Sequence, residues 1–275
     1  MLTFDSVKLR LDREQPMTAE LKSTSEGRTM VLTLSNPSQR NALGPEMYAA
    51  GIEALGGAES NPDVRCVVIV GEGAWFCAGG SLQRLQANRE RDPQVQAESI
   101  EALHSWIDAI RTFPKPVIAA VEGAAAGAGF SLAMACDFVV AARESVFAAS
   151  YSSVALSPDG GLSWHLARAL PRQLATEWLM KGERIPAPRL HALGLVNELT
   201  ETGHALSAAM TLAQGLAERA PNALASIKEL LSDARGASLN VQLASERDHF
   251  VRNLHHANAG IGIASFLAKS KPHYE

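Results

Sequence analysis

Residues 117–137, VIAAVEGAAAGAGFSLAMACD, restrict the folds open to this chain more than any other stretch. The run Val117–Val121 is short, apolar throughout and led by β-branched residues, the pattern of a strand buried on both faces rather than of a half-exposed strand that alternates. It stops at Gly123. From Gly127 the pattern changes, and Phe130, Leu132, Ala133 and Met134 begin a tightly packed helical run that ends at Cys136 and Asp137. A strand therefore feeds a helix through a loop of alanine and glycine. Such a junction aims backbone N–H groups of a helix N-terminus into a cavity, with the positive end of the helix dipole behind them, which suits a developing anion. An ordinary tight turn between strand and helix has the same composition.

The chain around this stretch reads as follows. Residues 1–16 alternate at Val7, Leu9 and Leu11, as an added strand or a lead-in. Residues 21–24 and 30–34 flank a turn at Gly27 and predict a hairpin. Pro45 and Glu46 start a helix that runs to residue 58, and residues 64–70 form a second buried strand. That strand leads to Ala78-Gly79-Gly80, a second loop of bare backbone. Residues 86–96, QANRERDPQVQ, read as a solvated flap. A helix follows over residues 97–113, with Ile100, Leu103, Ile107 and Ile110 on one face. Strands are expected at 138–142 and 145–151, a turn at 156–162, and helices at 163–169 and 172–181. Residues 184–199 read as a helix then a strand, 203–219 and 221–234 as helices, and 239–268 as a helical stretch broken at Gly260 and Gly262. Strands with intervening helices fill the first two-thirds and helices alone the rest, an α/β chain with a helical tail.

Charged residues make up 20% of the chain and the formal net charge is -4, which leaves no electrostatic case for nucleic acid or an anionic membrane. Cys66, Cys77 and Cys136 lie far apart without a CxxC pair, as free thiols in a reducing cytoplasm would. The first residues lack the apolar centre of a signal peptide, and no uncharged apolar run reaches about 18 residues. A soluble, cytoplasmic protein without a metal is the expectation.

Several constellations fall short of a chemical role. No lysine follows a glycine loop at nucleotide-binding spacing, and GAGFSL does not complete GxGxxG. Ser131 lacks the second glycine of a nucleophile elbow. His249, His255 and His256 read as surface histidines, because no carboxylate completes a metal-ligand set at helical spacing. His104 reads as a partly buried core histidine. Asp159, held between Pro158 and Gly160-Gly161, has two readings: a capping or turn residue, or a general base on a rigid turn at a pocket wall.

FCAGGSL at 76–82, KPVIAAVEGAAAGAGFSLAMACD at 115–137 and PDGG at 158–161 together resemble the crotonase (enoyl-CoA hydratase/isomerase) superfamily, in order and spacing, from about Leu21 to the C-terminus. The resemblance implies a spiral of ββα units over residues 1–200 that holds an acyl-CoA site. It also implies a helical region over 201–275 that builds homotrimers, often stacked as dimers of trimers. Two backbone N–H groups bind the thioester oxygen in that family, and they fall here on Ala78 and Ala128. Arg40 and Ala42 match positions near the pantetheine and adenine of CoA, and Gly80, Ser81 and Leu82 match the adenine-pocket turn, with Ser81 replacing a frequent Asp. Tyr151 is counted with the substrate-binding positions. Phe266 and Lys269 look like the pair that reaches CoA from the C-terminal helix across subunits. The resemblance implies no cofactor beyond the coenzyme A carried by the substrate.

Hydratases of that family carry glutamates where this chain has Ser131 and Tyr151. Asp159 instead matches the aspartate of dienoyl-CoA isomerases, of the ring-epoxide isomerase of phenylacetate degradation and of the chlorobenzoyl-CoA dehalogenase, whose histidine His104 also matches. The leading expectation is an acyl-CoA isomerase with Asp159 as base, nearest to the epoxide-to-oxepin branch. An enoyl-CoA hydratase or oxepin-CoA hydrolase-type enzyme is the alternative. A non-catalytic acyl-CoA or RNA-binding homologue ranks last, since arginines around 84–91 are offset by Glu90 and Asp92.

Overall fold

The computed structural model describes residues 19–234 and 236–274, so the expectation for Val7, Leu9 and Leu11 lies outside the described residues. Strands β1 (Glu20–Glu26) and β2 (Thr29–Ser35) form the expected hairpin, antiparallel with Glu26 opposite Thr29. Helix α1 (Pro45–Glu59) returns the chain to β3 (Cys66–Gly71), parallel to β2. Helices α2 (Leu82–Arg89) and α3 (Pro93–Thr112) follow, then β4 (Val117–Val121), parallel to β3. The expected flap is therefore helical. Ser81 caps α2 through its hydroxyl, and Asp92 caps α3 through its carboxylate with Pro93 in the first turn, so these polar residues are helix ends and not loop.

The alanines after β4 form a short strand, β5 (Ala124–Ala126), before α4 (Ala128–Ala135) and β6 (Phe138–Ala142). The next strand, β7 (Val146–Ala148), is shorter than expected because Tyr151 leads into a turn of 3-10 helix. Helices α5 (Leu162–Ala169) and α6 (Arg172–Lys181) precede β8 (Arg184–Pro186), which forms ahead of α7 (Ala187–Ala192) and β9 (Glu198–Thr200). The chain closes with α8 (Ala205–Ala217), α9 (Pro221–Asp233), α10 (Leu239–Leu254) and α11 (Ala257–Leu267). Gly260 and Gly262 lie inside α11. The break falls at His255 and His256, where the His256 ring accepts the Asn258 N–H at 3.1 Å.

The strands make a mixed sheet in the order β1-β2-β3-β4-β6-β9 and a small one in the order β5-β7-β8. Both faces of the larger sheet are covered at its centre, which explains why β3, β4 and β6 read as continuous apolar runs. Val67 and Ile69 of β3 face the main core with Trp106, Phe130 and Leu103, whereas Cys66, Val68 and Val70 face Ala205, Ala209 and Ala213 of α8. These alanines recur at helical spacing, so small side chains let α8 lie close on the sheet. No helix among the described residues is long and apolar enough to cross a membrane.

Candidate active site

The two bare loops meet because the FCAGG segment runs beside β5. Phe76 N–H donates to the Glu122 carbonyl at 2.9 Å, Cys77 N–H to Ala124 at 3.0 Å, and Ala126 N–H back to Cys77 at 2.9 Å. Two glycines permit the approach. A side chain on Gly79, whose φ is +94°, would put Cβ 2.7 Å from the Ala126 carbonyl, and one on Gly129 would put it 2.5 Å from the Cys77 carbonyl. No β-carbon fits at such distances from backbone, so these positions are closed to other residues.

Ala128 is the first residue of α4, and its N–H has no partner within the helix. Ala78 behaves otherwise. Its N–H donates to the Arg40 carbonyl at 3.0 Å, so that donor is already engaged. Gly80 lies two residues on, beside Leu43, whose N–H holds the Gly79 carbonyl at 2.7 Å. Among the described residues nothing accepts from the Gly80 N–H, and Gly80 and Ala128 both line one cavity.

Asp159 lines the same cavity. Its Oδ1 accepts a 2.7 Å hydrogen bond from the Tyr151 hydroxyl. Ser131 Oγ lies 3.1 Å from that hydroxyl and donates to the main-chain carbonyl of Asp159 at 2.8 Å. The side chain of Asp159 therefore does not cap α5, whose N-terminal flank is Gly161. Burial pushes the Asp159 carboxyl above its ordinary range, opposed by the Tyr151 hydrogen bond and by the charge of His104. Burial also drives the Tyr151 phenol well upward, so it stays a neutral donor. Burial pushes the Cys77 thiol up to about 12, which leaves it a poor nucleophile.

The cavity measures about 550 Å³ and is walled by the loops, Tyr151, Asp159, Arg40, and residues of α1, α2 and α3. Ser81 and Leu82 line it at the start of α2. Arg40 holds its guanidinium 5.1 Å from the Trp75 ring centroid. Ala42 is buried and lies outside the lining, its carbonyl taken by the Asn36 amide at 3.0 Å. Phe266, 84% exposed at the end of α11, and Lys269 also lie outside it within this chain.

Some expectations need correction. His104 is exposed at the cavity wall rather than partly buried, because it sits beside the apolar stripe of α3 and not in it. His249 is buried at 5% exposure, with Nε2 3.7 Å from Glu229, so it is no surface histidine. No group of metal-ligating side chains occurs among the described residues. Tyr48, Arg84 and Ser99 line the cavity and were not anticipated. Arg84 lies just before the expected flap and Ser99 in the expected helix over 97–113, and neither had a motif to single it out.

Residues 24–275 match the family described as enoyl-CoA hydratase/isomerase. The chain is 34% identical to the 1,2-epoxyphenylacetyl-CoA isomerase of Escherichia coli K12 over 250 residues, covering 89% of this chain and 94% of that protein. It is also 34% identical to a putative enoyl-CoA hydratase of Thermus thermophilus, over 90% of this chain and 98% of that protein. The fold superposes on the crystal structure of an enoyl-CoA hydratase from Polaromonas sp. JS666 with a TM-score of 0.92, at 70% identity, covering 93% of this chain and 100% of that one.

Proposed function

The chain belongs to the enoyl-CoA hydratase/isomerase family, and from that premise we propose that it isomerises an acyl-CoA thioester, with Asp159 as the single base. The observation that carries this reading is the cavity's charge: Asp159 is the one carboxylate among the described residues that line it. Hydration needs one group to orient water and another to deliver a proton. A double-bond shift or ring rearrangement needs one base that removes a proton from one carbon and returns it to another. Serine and tyrosine stand where the resemblance calls for the two hydratase glutamates, and both hydroxyls serve Asp159.

The thioester oxygen sits between the N–H groups of Ala128 and Gly80, with the N-terminus of α4 behind the first. Gly80 replaces Ala78 as the second donor in this reading, because the Ala78 N–H is bound to Arg40. As Asp159 takes the proton, the electron pair moves onto that oxygen and the two donors hold the resulting charge. Tyr151 fixes the rotamer of Asp159 through its hydrogen bond. Similarity to the 1,2-epoxyphenylacetyl-CoA isomerase supports isomerisation, and the hydratase names among the relatives keep hydration as the second reading. Phe266 and Lys269 reach the CoA of a neighbouring copy, in a homotrimer or dimer of trimers.

The test is incubation with aliphatic and aromatic enoyl-CoA esters in deuterated solvent, followed by mass analysis. Isomerised product and deuterium uptake, both lost in Asp159→Asn, are expected. Rapid hydration of crotonyl-CoA without any double-bond shift would overturn the isomerase reading.

A further inference from the structure

Beside the reacting centre the cavity has a cationic and phenolic wall that the reaction above does not use. Arg84 comes from α2, Ser99 and His104 from α3, and Tyr48 from α1, and all four line the cavity. The Arg84 guanidinium donates to Ser99 Oγ at 2.6 Å through Nη2. Its Nη1 lies 3.4 Å, and Glu46 Oε2 3.0 Å, from where a β-carbon on Gly44 would stand. No carboxylate oxygen lies within 4.0 Å of this guanidinium among the described residues, Glu46 included. Tyr48 is 5% exposed with its ring 6.2 Å from that of Trp106, and no protein group hydrogen-bonds its hydroxyl among the described residues.

We infer that Arg84 and Tyr48 form a subsite for a carboxylate carried on the acyl group itself, so that the preferred substrate is a short acyl-CoA with an anionic far end. A purely hydrocarbon acyl chain ending here would cover a guanidinium and a phenol without giving them an acceptor, and an uncompensated buried donor is costly. A carboxylate accepts from the guanidinium fork and the phenol together, which is the arrangement Arg recognises best. Arg84, Tyr48 and Asp159 line one cavity of about 550 Å³, so the subsite and the base share it. That shared cavity limits the acyl group to a few bonds between its thioester and its acid. It also keeps a substrate carboxylate on the side of the cation rather than against Asp159.

The inference rests on the cavity taking an acyl-CoA, and the experiment separates the two. Calorimetry with the full chain compares hexanoyl-CoA, its ω-carboxylate counterpart, the two corresponding free acids and CoA alone. The carboxylate ester is expected to bind at least about tenfold more tightly than hexanoyl-CoA. Arg84→Met should collapse that ratio to near one, with Arg84→Lys and Tyr48→Phe in between, while the preference for either ester over the free acids persists. If wild type binds both esters equally the subsite is disproved, and if Arg84→Met weakens CoA alone as much as the carboxylate ester, Arg84 serves a CoA phosphate instead. If no ester binds better than its free acid, the acyl-CoA reading falls and the subsite with it.

Discussion

Burial raises the pKa of Asp159 while Tyr151 and His104 pull it down, so one carboxyl answers to two opposing demands. A group whose folded pKa exceeds its unfolded value contributes stability that is complete below the unfolded pKa and lost as pH rises through the folded one. Ionised Asp159 therefore costs the fold stability at neutral pH, and Asp159→Asn removes that cost together with the base. The variant is expected to lose at least about a hundredfold in turnover and to melt at a higher temperature than wild type at pH 7, but not at acid pH. Scanning calorimetry beside the isomerase assay checks both halves. Tyr151→Phe deletes the main interaction that lowers the carboxyl, so the acid limb of its pH–rate profile should move to higher pH, with the exchange reaction retained. An unmoved limb would mean that Tyr151 does not act on the base. At Ala128 the group proposed to hold the thioester oxygen is the backbone N–H. Proline is tolerated at the first helical residue, so Ala128→Pro should fold yet lose about 10²- to 10³-fold in turnover, whereas Ala128→Gly stays close to wild type.

Elements far from the cavity hold it through a few polar ties. Lys228 of α9 donates to the Asp137 carboxylate at 2.7 Å and to the Ile110 carbonyl at 2.9 Å, and Asp137 in turn accepts the Val117 N–H at 2.8 Å. One cation thus joins the helical tail to α3 and to the start of β4. Burial raises the Asp137 carboxyl against the pull of Lys228, so removing the lysine strands an acid that is mostly out of water. Lys228→Met is expected to cost on the order of 3 kcal/mol in urea unfolding, and adding Asp137→Asn should recover part of the loss. A cost no larger than that of an exposed surface pair would show that α9 is anchored by packing alone. The tail has further ties of its own. Asn222 bonds Asn253 at 2.8 Å and receives from Asn258 at 2.9 Å, which links α9, α10 and α11.

The single chain leaves its helical end unusually apolar. Phe250 is 69% exposed and Phe266 84%, with Leu239, Val241, Leu243, Leu254, Ile263 and Leu267 exposed on the same two helices. A surface of this kind fits the proposed homotrimer, in which another copy would cover it. Sedimentation at micromolar concentration is expected to show a trimer or hexamer and no monomer, and Lys269→Ala is expected to raise KM for a CoA ester without changing the assembly. A monomer with full activity would remove the role proposed for Phe266 and Lys269.

Much of this protein is legible in the order of its residues. Local patterns suffice where one segment decides its own fate: the hairpin around Gly27, the helix from Pro45, the apolar strands at 66–71 and 117–121, and the glycine-lined N-terminus of α4. The family resemblance likewise rests on short contiguous motifs, and the match over residues 24–275 bears it out. Other features depend on what lies across space. The polar run at 86–96 became helix ends because Ser81 and Asp92 cap α2 and α3, and packing of α3 on α1 holds them. The expectation of Ala78 as a donor meets its N–H already bound to the Arg40 carbonyl, distant in sequence and 3.0 Å away in the fold. That the Asp159 side chain bonds Tyr151 and does not cap α5 is likewise visible only in the fold. Periodicity records which way a side chain faces, but a hydrogen bond needs a partner at a particular distance, and only the folded chain supplies one.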